Sequence, residues 1–172
     1  MQSSSMKAAS VIAAEYLREL ESEARATREC LEQVPMDKAD WKPHEKSMPL
    51  NYLAAMIAEM PKWIQYTIEK GEIDFGTFEH AEIKTTEDLV SAFDNNMVAV
   101  RKSLAGVTDD GLKETFSLRN KGELLFSSRK DETISQSINH LVHHRGQLTV
   151  YLKLLGAKIP SIYGPSADVG GF

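Results

Sequence analysis

Four stretches of the 172-residue chain carry apolar residues at helical spacing, and this repetition limits the possible folds more than any other feature. The stretches run from about residue 7 to 34, 47 to 71, 85 to 106 and 131 to 155. A helix with an apolar stripe is stable only when another element covers that stripe. The sequence therefore predicts an all-α fold built as a four-helix bundle, with either an up-and-down or a crossover topology.

The segments between the helices differ in character. Residues 72–85 lack periodicity and are predicted to form a loop. Residues 115–127 place two short apolar runs around an Asn-Lys-Gly turn, which favours a small β-hairpin between the third and fourth helices. We expect residues 1–6 to be a frayed end. The length predicts that residues 1–172 form a single domain.

Charge and cysteine content exclude several classes of protein. The chain has 20 basic and 25 acidic residues, a net charge of −5, and no basic stripe of the kind that binds nucleic acid. No apolar run reaches the roughly 20 residues that a membrane-spanning helix needs, and no secretory signal is evident. Cys30 is the single cysteine, so no internal disulfide can form. A cytoplasmic location is the default expectation.

The fourth predicted helix contains a histidine pair. His140 and His144 lie one turn apart, on a stripe that also holds Gln147 and Tyr151, while His143 points roughly 80–100° away from the pair. Two imidazoles at this spacing can bind one metal ion, but a catalytic site needs a third protein ligand. The alternative is a pair of histidines at the edge of the core that are hydrogen-bonded to neighbouring groups.

Arg145 falls on the main apolar stripe of the same helix, together with Ile138, Leu141 and Leu152. A buried guanidinium needs an acidic partner or several carbonyl groups. Structural pairing is the expected role, and anchoring of an anionic substrate is the alternative. Cys30 is expected to be a small buried apolar residue.

Three segments carry motifs of one known family. They are the run Ile138–Leu152 with His-x-x-x-His-Arg-Gly-Gln, the tail Ile159–Asp168 with Tyr-Gly-Pro-Ser-Ala-Asp, and the segment Trp41–Trp63. Together they resemble the DinB family, which is named after damage-inducible proteins. The resemblance implies a DinB-like four-helix bundle, often a homodimer, with a divalent metal (Ni, Zn or Fe) held by three histidines. Two of these match His140 and His144.

The position of the third histidine is held by Met56 in this chain. A thioether is a soft, weak ligand that suits Cu(I) better than Zn(II), Ni(II) or Fe(II). Glu59, one turn along the same face, or His143 is a substitute ligand that the sequence offers. The remaining alternatives are weak metal binding through two histidines, and a metal-free polar pocket.

The resemblance leaves three functions open. The first is a metal-dependent enzyme, a thiol S-transferase or hydrolase, that acts on a small-molecule substrate or thiol, with Gln147 and Tyr151 lining the pocket. The second is a metal-free or weakly metal-binding module for a small ligand, because of Met56. The third is an interaction protein working as a homodimer through Val150 and Leu154, which lie away from the main stripe of the fourth helix.

Overall fold

The structure, a computed structural model, describes residues 10–170, and within them it contains five α-helices and three short strands. The predicted frayed end and the residues expected to begin the first helix lie outside the described residues. In chain order the elements are α1 (Val11–Glu32), α2 (Leu50–Glu69), β1 (Glu72–Asp74), α3 (Thr86–Gly106), α4 (Asp109–Lys113), β2 (Thr115–Asn120), β3 (Glu123–Arg129) and α5 (Lys130–Leu154).

The four long helices share one apolar core. Both α1 and α2 pack against α3 and α5, so the stripes predicted from the sequence face one another. The core includes Leu20, Leu53, Ile57, Phe93 and Leu141. The mostly helical fold is therefore confirmed, with the short helix α4 as an addition that the sequence did not predict. No helix in the described part of the chain is both long and apolar enough to cross a membrane.

The predicted hairpin is present as β2 and β3, which pair in antiparallel register. Lys121 and Gly122 both have positive φ angles, 51° and 83°, as the type I′ turn of a two-residue hairpin loop requires. The prediction of a loop over residues 72–85 is wrong at its start, because β1 pairs with β2 in parallel and completes a three-stranded sheet. A three-residue strand is too short to show a periodic pattern, and its long-range pairing with β2 defines it.

The sheet lies against the helices through a second, smaller core. Ile73, Phe78 and Phe116 are buried there, and Trp63 of α2 packs against them. This contact fixes one face of the sheet opposite α2, and β3 leads directly into α5. The space between these elements forms the cavity described below.

The start of α2 differs from the prediction. The predicted helix starts at about residue 47, where Ser47 is a suitable N-cap residue, but α2 begins at Leu50 with Pro49 as its N-cap and no side-chain cap. The backbone N–H groups of Leu50 and Asn51 instead donate to carbonyls of the preceding loop, at Trp41 and Ala39. Because these loop carbonyls satisfy the first N–H groups, no serine cap is needed there.

Candidate functional site

The histidine pair of α5 is brought into direct contact. The Nε2 atoms of His140 and His144 lie 2.6 Å apart, and the ring centroids are 4.4 Å apart. His143 is exposed and meets His144 edge-on, with 5.0 Å between ring centroids. The structure therefore brings together the two rings that the helical wheel places on one stripe, and His143 takes no part in the Nε2 contact.

Gln147 fixes the protonation pattern of the pair. Its Oε1 lies 2.7 Å from Nδ1 of His144, so Nδ1–H donates to this amide oxygen and Nε2 of His144 carries a lone pair. Nε2–H of His140 then donates to that lone pair, which leaves Nδ1 of His140 as the free acceptor. The pair is thus oriented by a neighbouring amide in the way that histidine ligands and general bases often are.

Burial keeps both rings neutral. It lowers the pKa of His140 below its ordinary value, and the neighbouring rings of His144 and His143 lower it further. Burial also lowers the pKa of His144, against an opposing effect of the Gln147 hydrogen bond. Near neutral pH the pair can therefore accept hydrogen bonds or offer lone pairs, and it carries no positive charge.

A cavity of about 520 Å³ lies beside His140, between α2, α5 and the inner face of the sheet. Its walls are mostly apolar and aromatic, and His140 is the one ionisable residue among the described residues that line it. The lining residues are Trp63, Thr67, Ile73, Phe75, Phe116, Leu118, Phe126, Thr133, Gln136, Ser137 and His140. A volume and lining of this kind are typical of sites for small organic molecules.

Trp63 contributes an unpaired polar atom to this region. Its Nε1 is buried and is the one buried side-chain nitrogen or oxygen in the described part of the chain that has no hydrogen-bond partner. A buried donor without a partner costs about 1–3 kcal/mol, so such a group calls for a functional or structural reason. The ring of Trp63 also lies 6.0 Å, centroid to centroid, from that of His140.

A second cavity of about 270 Å³ adjoins the first, and Trp63 and Phe75 line both. It contains Met56, the residue at the position of the third histidine, and Glu59. The carboxylate of Glu59 accepts hydrogen bonds from His80 Nδ1 at 2.8 Å and from the Ala81 N–H at 3.0 Å. Sequence reasoning did not single out His80, because it lies in a loop 21 positions away from Glu59.

Tyr151 has a structural contact that the sequence did not indicate. Its hydroxyl donates to the Met48 carbonyl at 3.2 Å, and its ring meets Trp41 edge-on with 5.6 Å between centroids. Tyr151 therefore attaches the loop before α2 to α5. Neither Tyr151 nor Gln147 is among the residues that line the larger cavity.

Arg145 has the structural role expected of a buried guanidinium. It pairs with Glu23 of α1 at 2.6 Å, and it donates to Thr27 Oγ1 at 3.1 Å and to the Tyr163 hydroxyl at 2.8 Å. The Tyr163 hydroxyl in turn donates to Glu23 at 2.9 Å. Because its donors are used within the protein, Arg145 is not placed to anchor an anionic substrate.

The residues present do not fit the three-histidine metal site that the resemblance implies. Within residues 10–170, no three His, Cys, Asp or Glu side chains are grouped as a metal site requires. The two Nε2 atoms of the pair are 2.6 Å apart, whereas two nitrogen ligands of a tetrahedral zinc ion lie about 3.3 Å apart. The pair supplies two donors, and Met56 leaves the third position without an imidazole.

Comparisons of the sequence and of the fold with known proteins point to the same family. The sequence model of the DinB family matches residues 1–169. Two solved DinB-like proteins have a similar fold, each with a TM-score of 0.67. The one from Bacillus subtilis is 20% identical and covers 87% of this chain and 99% of its own. The one from Bacillus cereus is 18% identical and covers 87% and 97%. Comparison with curated protein sequences gives no match.

Proposed function

The chain belongs to the DinB family, and we propose that it binds a small, mainly apolar molecule in the larger cavity without a resident metal ion. The cavity of about 520 Å³, with six apolar or aromatic wall residues and His140 as its ionisable group, is the observation that carries this proposal. Burial of an apolar ligand against such walls supplies most of the binding free energy, while a few polar groups set its orientation.

His140 is the polar group that defines the chemistry of the ligand. Its Nδ1 is a free acceptor once Nε2–H is donated to His144, whereas Nε1 of Trp63 has almost no accessible surface and is out of a ligand's reach. A ligand with an apolar body and a hydroxyl or amide N–H donor suits this cavity. The function proposed is therefore that of a small-ligand-binding module, in which the histidine pair serves as a neutral polar anchor.

Filling the cavity tests this proposal. Ser137 is buried on its α5 wall, and its hydroxyl donates only to the Thr133 carbonyl of the same helix, so Ser137→Leu adds volume at little structural cost. We expect the natural protein to bind a neutral apolar dye such as N-phenyl-1-naphthylamine, with enhanced dye fluorescence. The Ser137→Leu variant should lose at least about 90% of this signal, because a filled cavity leaves the dye no apolar surface to cover.

The matched control is Ser135→Leu, at a position on the same helix that does not line the cavity. This variant should bind the dye as the natural protein does, and circular dichroism should confirm the helical content of both variants. Unchanged dye binding in a folded Ser137→Leu variant would contradict the proposal, as would an absence of binding by the natural protein.

A second function is favoured by one specific observation, that one turn of α5 places two imidazole rings side by side, with 4.4 Å between their centroids. It is the metal-dependent enzyme, a thiol S-transferase or hydrolase acting on a small-molecule substrate or thiol, with His140 and His144 as ligands of Ni, Zn or Fe. Elemental analysis of protein purified without an affinity tag distinguishes the two functions. Stoichiometric metal supports the enzyme; metal-free protein that takes up Zn(II) only after Met56→His supports the ligand-binding module.

We propose a cytoplasmic setting for either function. Cys30 is the single cysteine, so the fold gains no disulfide from an oxidising compartment. The net charge of −5 favours a small molecule over nucleic acid as the partner. Fractionation of the producing cell, with detection of the untagged protein, tests the location.

A further inference from the structure

The smaller cavity contains a buried carboxylate whose ring-nitrogen partner is His80 and which has no Lys or Arg partner in the described part of the chain. Glu59 is 3% exposed, and no Lys or Arg side chain in the described part of the chain lies within 4.0 Å of it. The other nearly buried glutamate, Glu23, shows the usual solution, a direct ion pair with Arg145. Burying a carboxylate costs free energy unless hydrogen bonds and an opposite charge compensate it. Glu59, which is paired with His80, therefore lacks the permanently charged partner that Glu23 has in Arg145.

The hydrogen bonds of Glu59 leave part of its capacity unused. A carboxylate offers about four acceptor positions, and Glu59 uses two of them, for His80 Nδ1 and the Ala81 N–H. The side chain of His80 is largely exposed and lies at the edge of the site. The cavity of about 270 Å³ opens beside this carboxylate and has room for a further group.

The remaining walls of this cavity are aromatic or polarisable. Trp63 and Phe75 form two of them, with ring centroids 6.1 Å apart and planes inclined at 57°. Tyr52, Ala55 and Met56 line the rest of it, with His80 at the edge. The faces of aromatic rings carry partial negative charge and attract cations within about 6 Å, most strongly where water is excluded. Aromatic walls around a buried carboxylate are a suitable environment for an organic cation.

We propose that the smaller cavity binds an organic cation, a quaternary ammonium or small alkylammonium group, with Glu59 as its counter-charge and Trp63, Phe75 and Tyr52 as its aromatic walls. Met56 suits this role, because a thioether packs against alkylammonium carbons without competing for the carboxylate. The proposal does not rest on the ligand of the larger cavity. Ser137→Leu, which fills that cavity, should leave cation binding unchanged.

A pair of isosteric probes isolates the effect of charge. Choline and 3,3-dimethylbutan-1-ol have the same shape, but carbon replaces the quaternary nitrogen in the second. Binding is measured through the fluorescence of Trp63 in a Trp41→Phe background, since Trp41 is the other tryptophan and packs on Tyr151 instead. Sodium chloride is added to the titration with the neutral alcohol, so that both titrations have the same ionic strength. We expect choline to bind at least about ten-fold more tightly than the neutral alcohol.

Two variants assign the effect to the site. Glu59→Gln keeps an oxygen for the Ala81 N–H and removes the charge, so choline and the neutral alcohol should then bind with about equal affinity. Glu19→Gln, an exposed change on α1, is the control and should retain the preference for choline. Phe75→Leu, at the rim, should weaken choline binding several-fold and leave binding of the alcohol unaffected. This variant provides the test if Glu59→Gln does not fold. Equal affinity for both probes, or a preference that survives Glu59→Gln or Phe75→Leu, would overturn the proposal.

Discussion

Cys30 is fully buried in the core near the end of α1. Burial raises the pKa of its thiol to about 11, an effect that the nearby Arg145 opposes only in part. The thiolate is the reactive form of cysteine, so both the raised pKa and the lack of access suppress its chemistry. Cys30 is therefore a packing residue, as the sequence predicts, and takes no part in either proposed function.

This assignment predicts the reactivity of the thiol. At about pH 8 the natural protein should react with Ellman's reagent at least about 100-fold more slowly than the unfolded chain, because burial limits both ionisation and access. Absorbance of the released thiolate measures the two rates. A Ser91→Cys variant, exposed on α3, is the control for a reactive cysteine. Rapid labelling of Cys30 in the folded natural protein would contradict the prediction.

Tyr163 is expected to stabilise the buried ion pair that it joins. Its hydroxyl donates to Glu23 and accepts from Arg145, so Tyr163→Phe removes two hydrogen bonds to charged groups. We expect the free energy of unfolding to fall by about 1–2 kcal/mol, measured by urea denaturation. Tyr52→Phe, a change of the same chemistry on α2, should have almost no effect, because no contact joins the Tyr52 hydroxyl to an ion pair among the described residues. Equal stabilities of the two variants would argue against the role of Tyr163.

For individual residues, the sequence predicts contacts within one helix better than contacts between elements. The positions of His140, His144 and Gln147 on one stripe follow from helical geometry alone. The contact of Glu59 with His80, by contrast, depends on how the segment after β1 folds back over α2. No local pattern encodes that path, so the sequence could not identify the charge environment of the smaller cavity.

The start of α3 is expected to depend on pH through Asp88. The backbone N–H groups of Lys84 and Thr85 donate to its carboxylate and lower its pKa, with a smaller effect from the Thr85 hydroxyl. A carboxyl whose pKa is lowered by folding stabilises the protein above its unfolded pKa, and this contribution is lost as the pH falls through the lower folded value. Thr85 and Asp88 form a capping box, in which the side chain of each accepts from the backbone N–H of the other.

Asp88→Asn should therefore reduce stability near pH 7, and the difference from the natural protein should shrink as the pH falls below about 3.9. Urea denaturation across this range measures it. Glu87→Gln, a neighbouring change in the same first turn, is the control, because its carboxylate is not part of the capping box. A stability difference that stays constant with pH would contradict the role of the ionised Asp88.

The sequence predicts long elements better than short ones, because a long element repeats its apolar pattern more often. The long helices repeat their apolar pattern over several turns, so their existence and partners could be predicted. The hairpin could be placed from its turn residues. By contrast, β1 offers only Ile73 as an apolar residue, and it exists because β2 is available for pairing. The larger cavity depends on that strand, since Ile73 lines it, and so it could not be foreseen.

For the whole molecule, we propose self-association through the outer face of α5. Val150 and Leu154 lie one turn apart on that helix and are 57% and 61% exposed. Paired copies of such a face can cover each other in a symmetric dimer. We predict that light scattering will show a homodimer. The Val150→Glu variant should be a monomer, because the substitution places a charge in the contact between the two copies.

Val98→Glu is the matched control, since Val98 is 64% exposed on α3 and lies outside the proposed face. That variant should remain dimeric. A natural protein that stays monomeric at high concentration, or a dimer that both variants leave intact, would refute the assignment of this surface.

The bond between Tyr163 and Glu23 joins positions 140 apart in the chain. During synthesis on a ribosome, Glu23 emerges long before Arg145 and Tyr163 are translated, and its carboxylate must stay hydrated until they arrive. The first helix can therefore reach its native environment only when the chain as far as Tyr163 has left the exit tunnel. Contacts of such long sequence separation slow folding, so α1 should be exposed to chaperones in the interval.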